Sequence, residues 1–290
     1  MAKHSNIWPE KSLFHSICDW TKFIGIDETS FKKGHNYITV VVDTQTKKVI
    51  CVSNGRDVNA FDEFITDFTK HNGKLGNIEL VTCDMSIPYC SAMKTNLPNA
   101  VKVIDKFHIY KHLNSAINIV RNNFIRNNDQ LDKKETRVLK KSKFCFLKNE
   151  DRLNEWQKTL KTDLLQKYEP LNLANSIKIE LEEIYKTSVD FEDAKIRFIK
   201  LIDLINSTKL KPLIEFGSLL SRHLNDICNY FTHRVSNAIL EGTNSLIQEC
   251  KHRAHGFKNL NWFKTIIYLV AGKLNFNKSL HEHNLNFQIG

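Results

Sequence analysis

Residues 23–53, FIGIDETSFKKGHNYITVVVDTQTKKVICVS, decide the fold. Inside this stretch, residues 37–43 (YITVVVD) and 49–53 (VICVS) are runs dominated by β-branched side chains, separated by Thr44, Gln45, Thr46, Lys47 and Lys48. Such runs suit a pleated, half-buried surface, and a short polar spacer between them is a hairpin signature. The apolar run at residues 23–27 (FIGID) reads as a strand before the hairpin, ended by Asp27. Downstream, Phe61, Phe64, Ile65 and Phe68 fall at helical spacing. Residues 78–83 (IELVTC) read as a fourth strand, 88–96 as a short helix and 100–104 (AVKVI) as a fifth strand. Leu113, Ile117, Val120 and Phe124 then share one face of a helix starting near Phe107. This order predicts an α/β chain: a mixed five-stranded sheet, its first three strands antiparallel, with helices on its faces.

From residue 121 to 231 there is no strand signal. The segment is rich in Lys, Glu and Leu and reads as several helices, with turns at Pro170 and Pro212. After Arg234 a long amphipathic helix is expected, N-capped by Ser236 or Asn237, with Leu240, Asn244, Ile247 and Lys251 at helical intervals. A last helix is expected over residues 262–275.

Composition narrows the function classes. The chain has 290 residues, 41% of them hydrophobic and 26% charged, which excludes disordered, collagen-like and low-complexity classes. No apolar stretch approaches the roughly 18 residues a membrane helix needs, and the first twenty residues hold no apolar core of a secretory signal. The seven cysteines form no C-x-x-C pair and are odd in number, which fits free buried thiols in a reducing cytoplasm. The net charge of +10 is unevenly placed: residues 101–160 carry +7 and residues 231–290 carry +4. One block holds Lys133, Lys134, Arg137, Lys140, Lys141, Lys143 and Lys148; the other holds Arg234, Lys251, Arg253 and Lys258. A polyanion and a solvated helix face account for such blocks equally well.

The acids sit at informative places. Asp27 ends the first strand and Asp84 ends the fourth. If those strands are neighbours, the two carboxylates meet at a strand-end crevice, where a pair of like charges is costly unless a cation lies between them. Mg²⁺ suits such a pair, because it takes oxygen ligands and retains waters. Each acid also has a plain alternative: Asp84 as a helix cap, Asp27 and Asp43 as turn residues. Asp105, at the end of the fifth strand, competes as a ligand. Glu241 lies in a polar stretch of the late helix, and Gly242 beside it costs roughly 1 kcal/mol relative to Ala unless something approaches closely.

Several segments together resemble the DDE transposases of bacterial insertion sequences, in particular the ISL-three family. They are residues 25–37 (GIDETSFKKGHNY), 82–86 (TCDMS), 97–100 (LPNA), 105–108 (DKFH), 236–244 (SNAILEGTN) and 251–257 (KHRAHGF), in the family's order and with similar gaps. The resemblance runs from about residue 22 to 275. It implies an RNase H-like fold with a mostly helical insertion before the last catalytic helix. The organisation it implies is an N-terminal remnant at 1–21, a core beginning at 22–120, the insertion at 121–231 and the core's C-terminal helices at 232–290. Asp27, Asp84 and Glu241 match the catalytic, metal-holding triad. Asp105 and His108 match an accessory D-x-F-H motif. Lys133, Lys134, Arg137, Lys140, Lys141, Arg234, Asn244, Lys251, Arg253 and Lys258 become candidate DNA contacts. Family members usually begin with a Cys-rich zinc-binding segment and a helix-turn-helix, so the chain is expected to be the catalytic part of a longer protein, a truncated copy or half of a frameshifted pair.

The implied cofactor is Mg²⁺, two ions roughly 3.5–4 Å apart, with Mn²⁺ as a substitute. The implied reaction is cleavage of a DNA strand followed by attack of the freed 3′-OH on target DNA. The implied partners are element ends and target DNA, handled by a homodimer or larger assembly in the cytoplasm without a membrane. Trp156, Trp262 or a Phe could wedge a distorted base step, or simply pack in the core. The rivals are a non-catalytic DNA-binding remnant and a two-carboxylate glycosidase, against which the basic blocks speak.

Overall fold

The computed structural model describes residues 18, 20–32, 34, 36–85, 87–235 and 238–272, without the side chains of 87–90. The chain divides into two compact units: residues 1–102 with 236–290, and residues 103–235. The first division falls inside the fifth strand. The sheet order is β3-β2-β1-β4-β5. Its strands are β1 (Phe23–Lys32), β2 (Asn36–Asp43), β3 (Lys48–Asn54), β4 (Leu80–Cys83) and β5 (Val101–Ile104). β1 pairs antiparallel with β2, β2 antiparallel with β3, and β1 parallel with β4. The sheet is mixed, as the sequence predicts, and the fold is α/β of RNase H-like type.

One expectation needs correction. β1 does not end at Asp27 but continues to Lys32. Residues 28–32 give no apolar run, yet β2 holds them: the pairing extends through Ser30 with Tyr37 to Lys32 with Asn36, across a bulge. The parallel pairing with β4 stops earlier, at Gly25 with Thr82. Asp27 therefore lies in mid-strand but two residues beyond the end of its β4 partnership. Asp43 takes the turn role: its Oδ1 accepts from the backbone N–H of Gln45 (2.9 Å) and Thr46 (2.8 Å).

The strand period of two sorts side chains onto two faces. On one face, Ile24, Ile26, Val41, Val81 and Cys83 pack with Phe61, Phe64 and Phe68 of α1 (Val58–Lys70) and with Met93 of α2 (Ile87–Asn96). On the other, Phe31, Ile38, Val40, Val42 and Val52 pack with Leu240 and Ile247 of α11 (Ala238–Arg253) and with Phe263, Ile267 and Tyr268 of α12 (Leu260–Ala271). The Tyr268 hydroxyl accepts from Val52 N (3.0 Å), fixing α12 over β3. The expected N-cap residues Ser236 and Asn237 lie outside the described residues.

The second unit is helical: α3 (Lys106–Arg126), α4 (Lys133–Lys141), α5 (Lys143–Leu147), α6 (Glu155–Lys167), α7 (Glu169–Thr187), α8 (Phe191–Ser207), α9 (Lys211–Arg222) and α10 (Leu224–His233). Pro170 and Pro212 fall in the first turns of α7 and α9, where a missing N–H costs nothing. Leu113, Ile117 and Val120 are buried as expected, and the Phe124 ring packs on that of Tyr168 with 4.9 Å between centroids. Among the described cysteines, Cys18, Cys51, Cys83, Cys145 and Cys228 are buried. No helix of the described residues is long and apolar enough to cross a membrane.

Candidate active site

The register of the parallel pair places the first two acids. β1 and β4 pair with a constant offset: Phe23 with Leu80, Ile24 with Val81, Gly25 with Thr82. Carried two residues further, the same offset sets Asp27 level with Asp84. They also share a face. Ile24, Ile26, Val81 and Cys83 face α1 and α2, so Gly25, Asp27 and Thr82 fall on the α11 side, and the same alternation continued one residue past β4 gives Asp84 that side too. Each carboxylate is oriented by the next residue's backbone: Asp27 Oδ1 accepts from Glu28 N (2.8 Å), and Asp84 Oδ1 from Met85 N (2.5 Å).

α11 lies along β1 in step with it. Leu240, Asn244 and Gln248, four residues apart, meet Gly25, Asp27 and Thr29, two residues apart. Four helical residues rise about 6 Å and two strand residues about 6.7 Å, so the match persists over two turns. Gly25 makes the close seat possible: a Cβ there would stand 2.7 Å from Leu240 Cδ1 and 3.1 Å from Thr82 Oγ1. Asn244 Nδ2 donates to Asp27 Oδ2 (2.7 Å), and Gln248 Nε2 to Thr29 Oγ1 (2.6 Å) and Ser30 O (3.1 Å).

Glu241 is exposed and accepts no hydrogen bond from a described residue. At about 100° per residue it lies on the flank of α11 away from Ile239 and Leu246, which face α12 across an open groove of about 430 Å³. Gly242 lines the groove, with nothing among the described residues within 4 Å of where its Cβ would be. The close approach that its glycine suggests is thus not met by the described residues.

The donor chemistry suits a hard divalent cation, since all three groups are carboxylates. Asp27 and Asp84 come level by the register offset, and Glu241 is exposed on α11. Among the described residues, no three His, Cys, Asp or Glu side chains stand together as a preformed ion-binding cluster.

A family model described as a transposase, of the DDE and ISL3 type, matches residues 24–267. The chain belongs to this transposase family. It is 28% identical over 252 residues to the transposase for insertion sequence element IS1001 of Bordetella parapertussis, covering 84% of this chain and 60% of that protein. It is 24% identical over 257 residues to the transposase for insertion sequence element IS1557 of Mycobacterium tuberculosis, covering 81% of this chain and 57% of that one. The chain thus spans about 60% of the length of these curated relatives.

The basic residues of this transposase-family chain divide sharply. Lys133, Lys134, Arg137, Lys140 and Lys141 are on the open side of α4, which is anchored by buried Leu139 and a capping box between Asp132 and Glu135. By contrast, Lys251 Nζ donates to Ser30 O (2.7 Å) and Ser30 Oγ (3.1 Å), and burial pulls its pKa down. Arg234, in the left-handed region at φ 51°, donates from Nη2 to Ser188 O (2.8 Å) and Val189 O (3.2 Å). Arg253 pairs with Glu249 one turn back (2.5 Å), and Lys258 is exposed.

The remaining expected residues have structural placements. Asp105 is buried and N-caps α3, its Oδ1 accepting from Phe107 N at 3.2 Å. His108 is buried in that helix's first turn. Trp156 and Trp262 are exposed, each in the first turn of its helix, rather than packed in the core. Sequence reasoning missed Gly25, Thr29, Ser30 and Gln248 as the seat of α11. The available signal was the glycine inside an apolar strand run, which marks a close approach.

Proposed function

We propose that the chain carries the catalytic centre of an insertion-sequence transposase, with Asp27, Asp84 and Glu241 holding divalent ions for DNA cleavage and strand transfer. The observation that supports it most is the parallel register of β1 and β4, which runs from Phe23 with Leu80 to Gly25 with Thr82 and, extended two residues past its last pair, brings Asp27 opposite Asp84. Mg²⁺, or Mn²⁺ in its place, would be the ion. When bound, two such ions lower the pKa of a water and stabilise charge on a departing 3′ oxygen.

The chain's residues then have separate tasks. Asp27 and Asp84 supply the fixed oxygens, and Glu241 supplies the third carboxylate from α11. None of the three needs to accept the proton of the attacking water. Cleavage breaks the bond from phosphorus to the 3′ oxygen and forms one from phosphorus to water oxygen. In strand transfer the oxygen of the freed 3′-OH bonds to a target phosphorus in place of water, the bond from that phosphorus to the target's own 3′ oxygen breaks, and that departing oxygen takes up a proton from solvent. The exposed cations of α4 track DNA phosphates, adding affinity that falls with salt but little base choice. Asp105 and His108 hold the start of α3 in an accessory role. At least two copies act together, one for each element end, in the cytoplasm.

The test uses duplex DNA, Mg²⁺ and a Glu241→Gln variant. Cleavage should fall below detection while DNA affinity in EDTA stays within about twofold, since the substitution removes a metal oxygen and no phosphate contact. Cleavage retained by the variant, or by the wild type in EDTA, overturns the assignment.

A further inference from the structure

Asn244 is expected from its sequence context to be a DNA contact, but its amide is turned inward. Nδ2 donates to Asp27 Oδ2 at 2.7 Å, while Asp27 Oδ1 accepts from Glu28 N at 2.8 Å. Both oxygens of one half-buried carboxylate are thus gripped, one by its own strand and one by α11. The amide orientation follows from chemistry, because a carboxylate can only accept and so must face the NH₂ group. The last torsion of an aspartate is soft, and two donors from different elements fix its plane.

We propose that Asn244 is a positioning residue. It sets the plane of the Asp27 carboxylate and pins α11 to β1 at the turn that follows Glu241. This rests on the reading of Asp27, Asp84 and Glu241 as ion-holding carboxylates. Other side chains at 244 fail for physical reasons. A Lys or Arg brings a permanent positive charge that competes with the cation. An Asp sets one carboxylate against another. A Gln adds a methylene and lifts the helix from its seat. Asn is the neutral donor of matching length, and its turn of helix carries both the third acid and the clamp on the first.

The experiment measures Mn²⁺ binding without DNA, by loss of the free-ion paramagnetic resonance signal. It compares wild type, Asn244→Leu, Asp27→Asn and the double variant, with DNA affinity in EDTA measured alongside. Asn244→Leu should weaken Mn²⁺ binding about 10–100-fold, the usual effect of removing a partner of a metal ligand. The double variant should bind no more weakly than Asp27→Asn alone, because Asn244 acts through that carboxylate. DNA affinity in EDTA should stay within about twofold of wild type. Asn244→Ser, smaller and still polar, should show the same loss and serves if the Leu variant folds poorly. Wild-type Mn²⁺ affinity in both Asn244 variants overturns the proposal alone. So does reduced DNA affinity with unchanged Mn²⁺ binding, which makes Asn244 a phosphate contact. Wild-type protein that binds no more Mn²⁺ than Asp27→Asn overturns the underlying metal-centre reading, and the positioning role with it.

Discussion

The sheet-bearing unit and the helical unit treat the same kind of side chain in opposite ways. In the first, Lys251 reaches back to β1 and lodges its ammonium on Ser30. In the second, α4 holds Lys133, Lys134, Arg137, Lys140 and Lys141 toward solvent. Local sequence looks alike in both places, a basic cluster on an amphipathic helix. The difference is what lies beneath: α11 has its polar edge laid on a strand whose outer half is polar, while the basic side of α4 is open. A cation's role is therefore read from where its head group ends, not from the density of charge around it.

The sharpest way to break this comparison is to neutralise α4. Changing all five of these cations to Gln should flatten the dependence of DNA affinity on salt. Each lost phosphate contact lowers the slope of log K against log salt by about 0.9, so a fall of about 3–5 is expected, with roughly 10³-fold weaker binding at physiological salt. Exposed substitutions of this kind change stability by about 0.5 kcal/mol or less each. Anisotropy titrations between about 50 and 200 mM salt measure the slope. An unchanged slope would make α4 a solvated face, and the +7 block would lose its partner.

A second variant attacks the other side of the comparison, the seat of α11. Gly25→Ala puts a methyl 2.7 Å from Leu240 Cδ1, so Leu240 must move or α11 must lift. Such overpacking costs about 1–3 kcal/mol, readable by urea unfolding. Combining it with Leu240→Val should recover part of the loss, because the branch that collides is shortened. If Gly25→Ala unfolds like wild type, α11 is not seated as tightly as the register implies, and the alignment of Asn244 with Asp27 loses its basis.

Gly25 also shows what could and could not be read from the sequence. The strands of residues 37–43 and 49–53 were legible because β-branched runs stand on their own, and the α1 stripe because Phe61, Phe64 and Phe68 repeat at helical spacing. The outer half of β1 was not, since ETSFK is no apolar run and is held extended by its pairing with β2 and by contacts of Thr29, Ser30 and Phe31 with the late helices. At the site, Asp27 and Asp84 were legible as acids beside strand ends, and their common face follows once the parallel register is known. The roles of Asn244 and Lys251 were not, because their partners Asp27 and Ser30 lie near the opposite end of the chain. No local pattern distinguishes an amide that clamps a carboxylate from one that meets a phosphate.

The smallest expected effect is the most discriminating for the two kinds of lysine. Lys251→Met keeps most of the stem's length and apolar packing but removes the ammonium from Ser30 and Gln248. The lost hydrogen bonds should cost about 1 kcal/mol, offset in part by relief of desolvating the charge. The pH dependence gives a second signature. Burial lowers the folded-state pKa of Lys251 below its unfolded value, so the unfolded chain binds more protons in the window between the two. Wild-type stability should therefore rise with pH as it climbs from that lowered value toward about 10.4, and the Met variant should lack this increment. The salt slope of DNA binding should not change. A slope lower by about 0.9 would instead place Lys251 with the α4 cations, as a phosphate contact that lets go of Ser30 when DNA arrives.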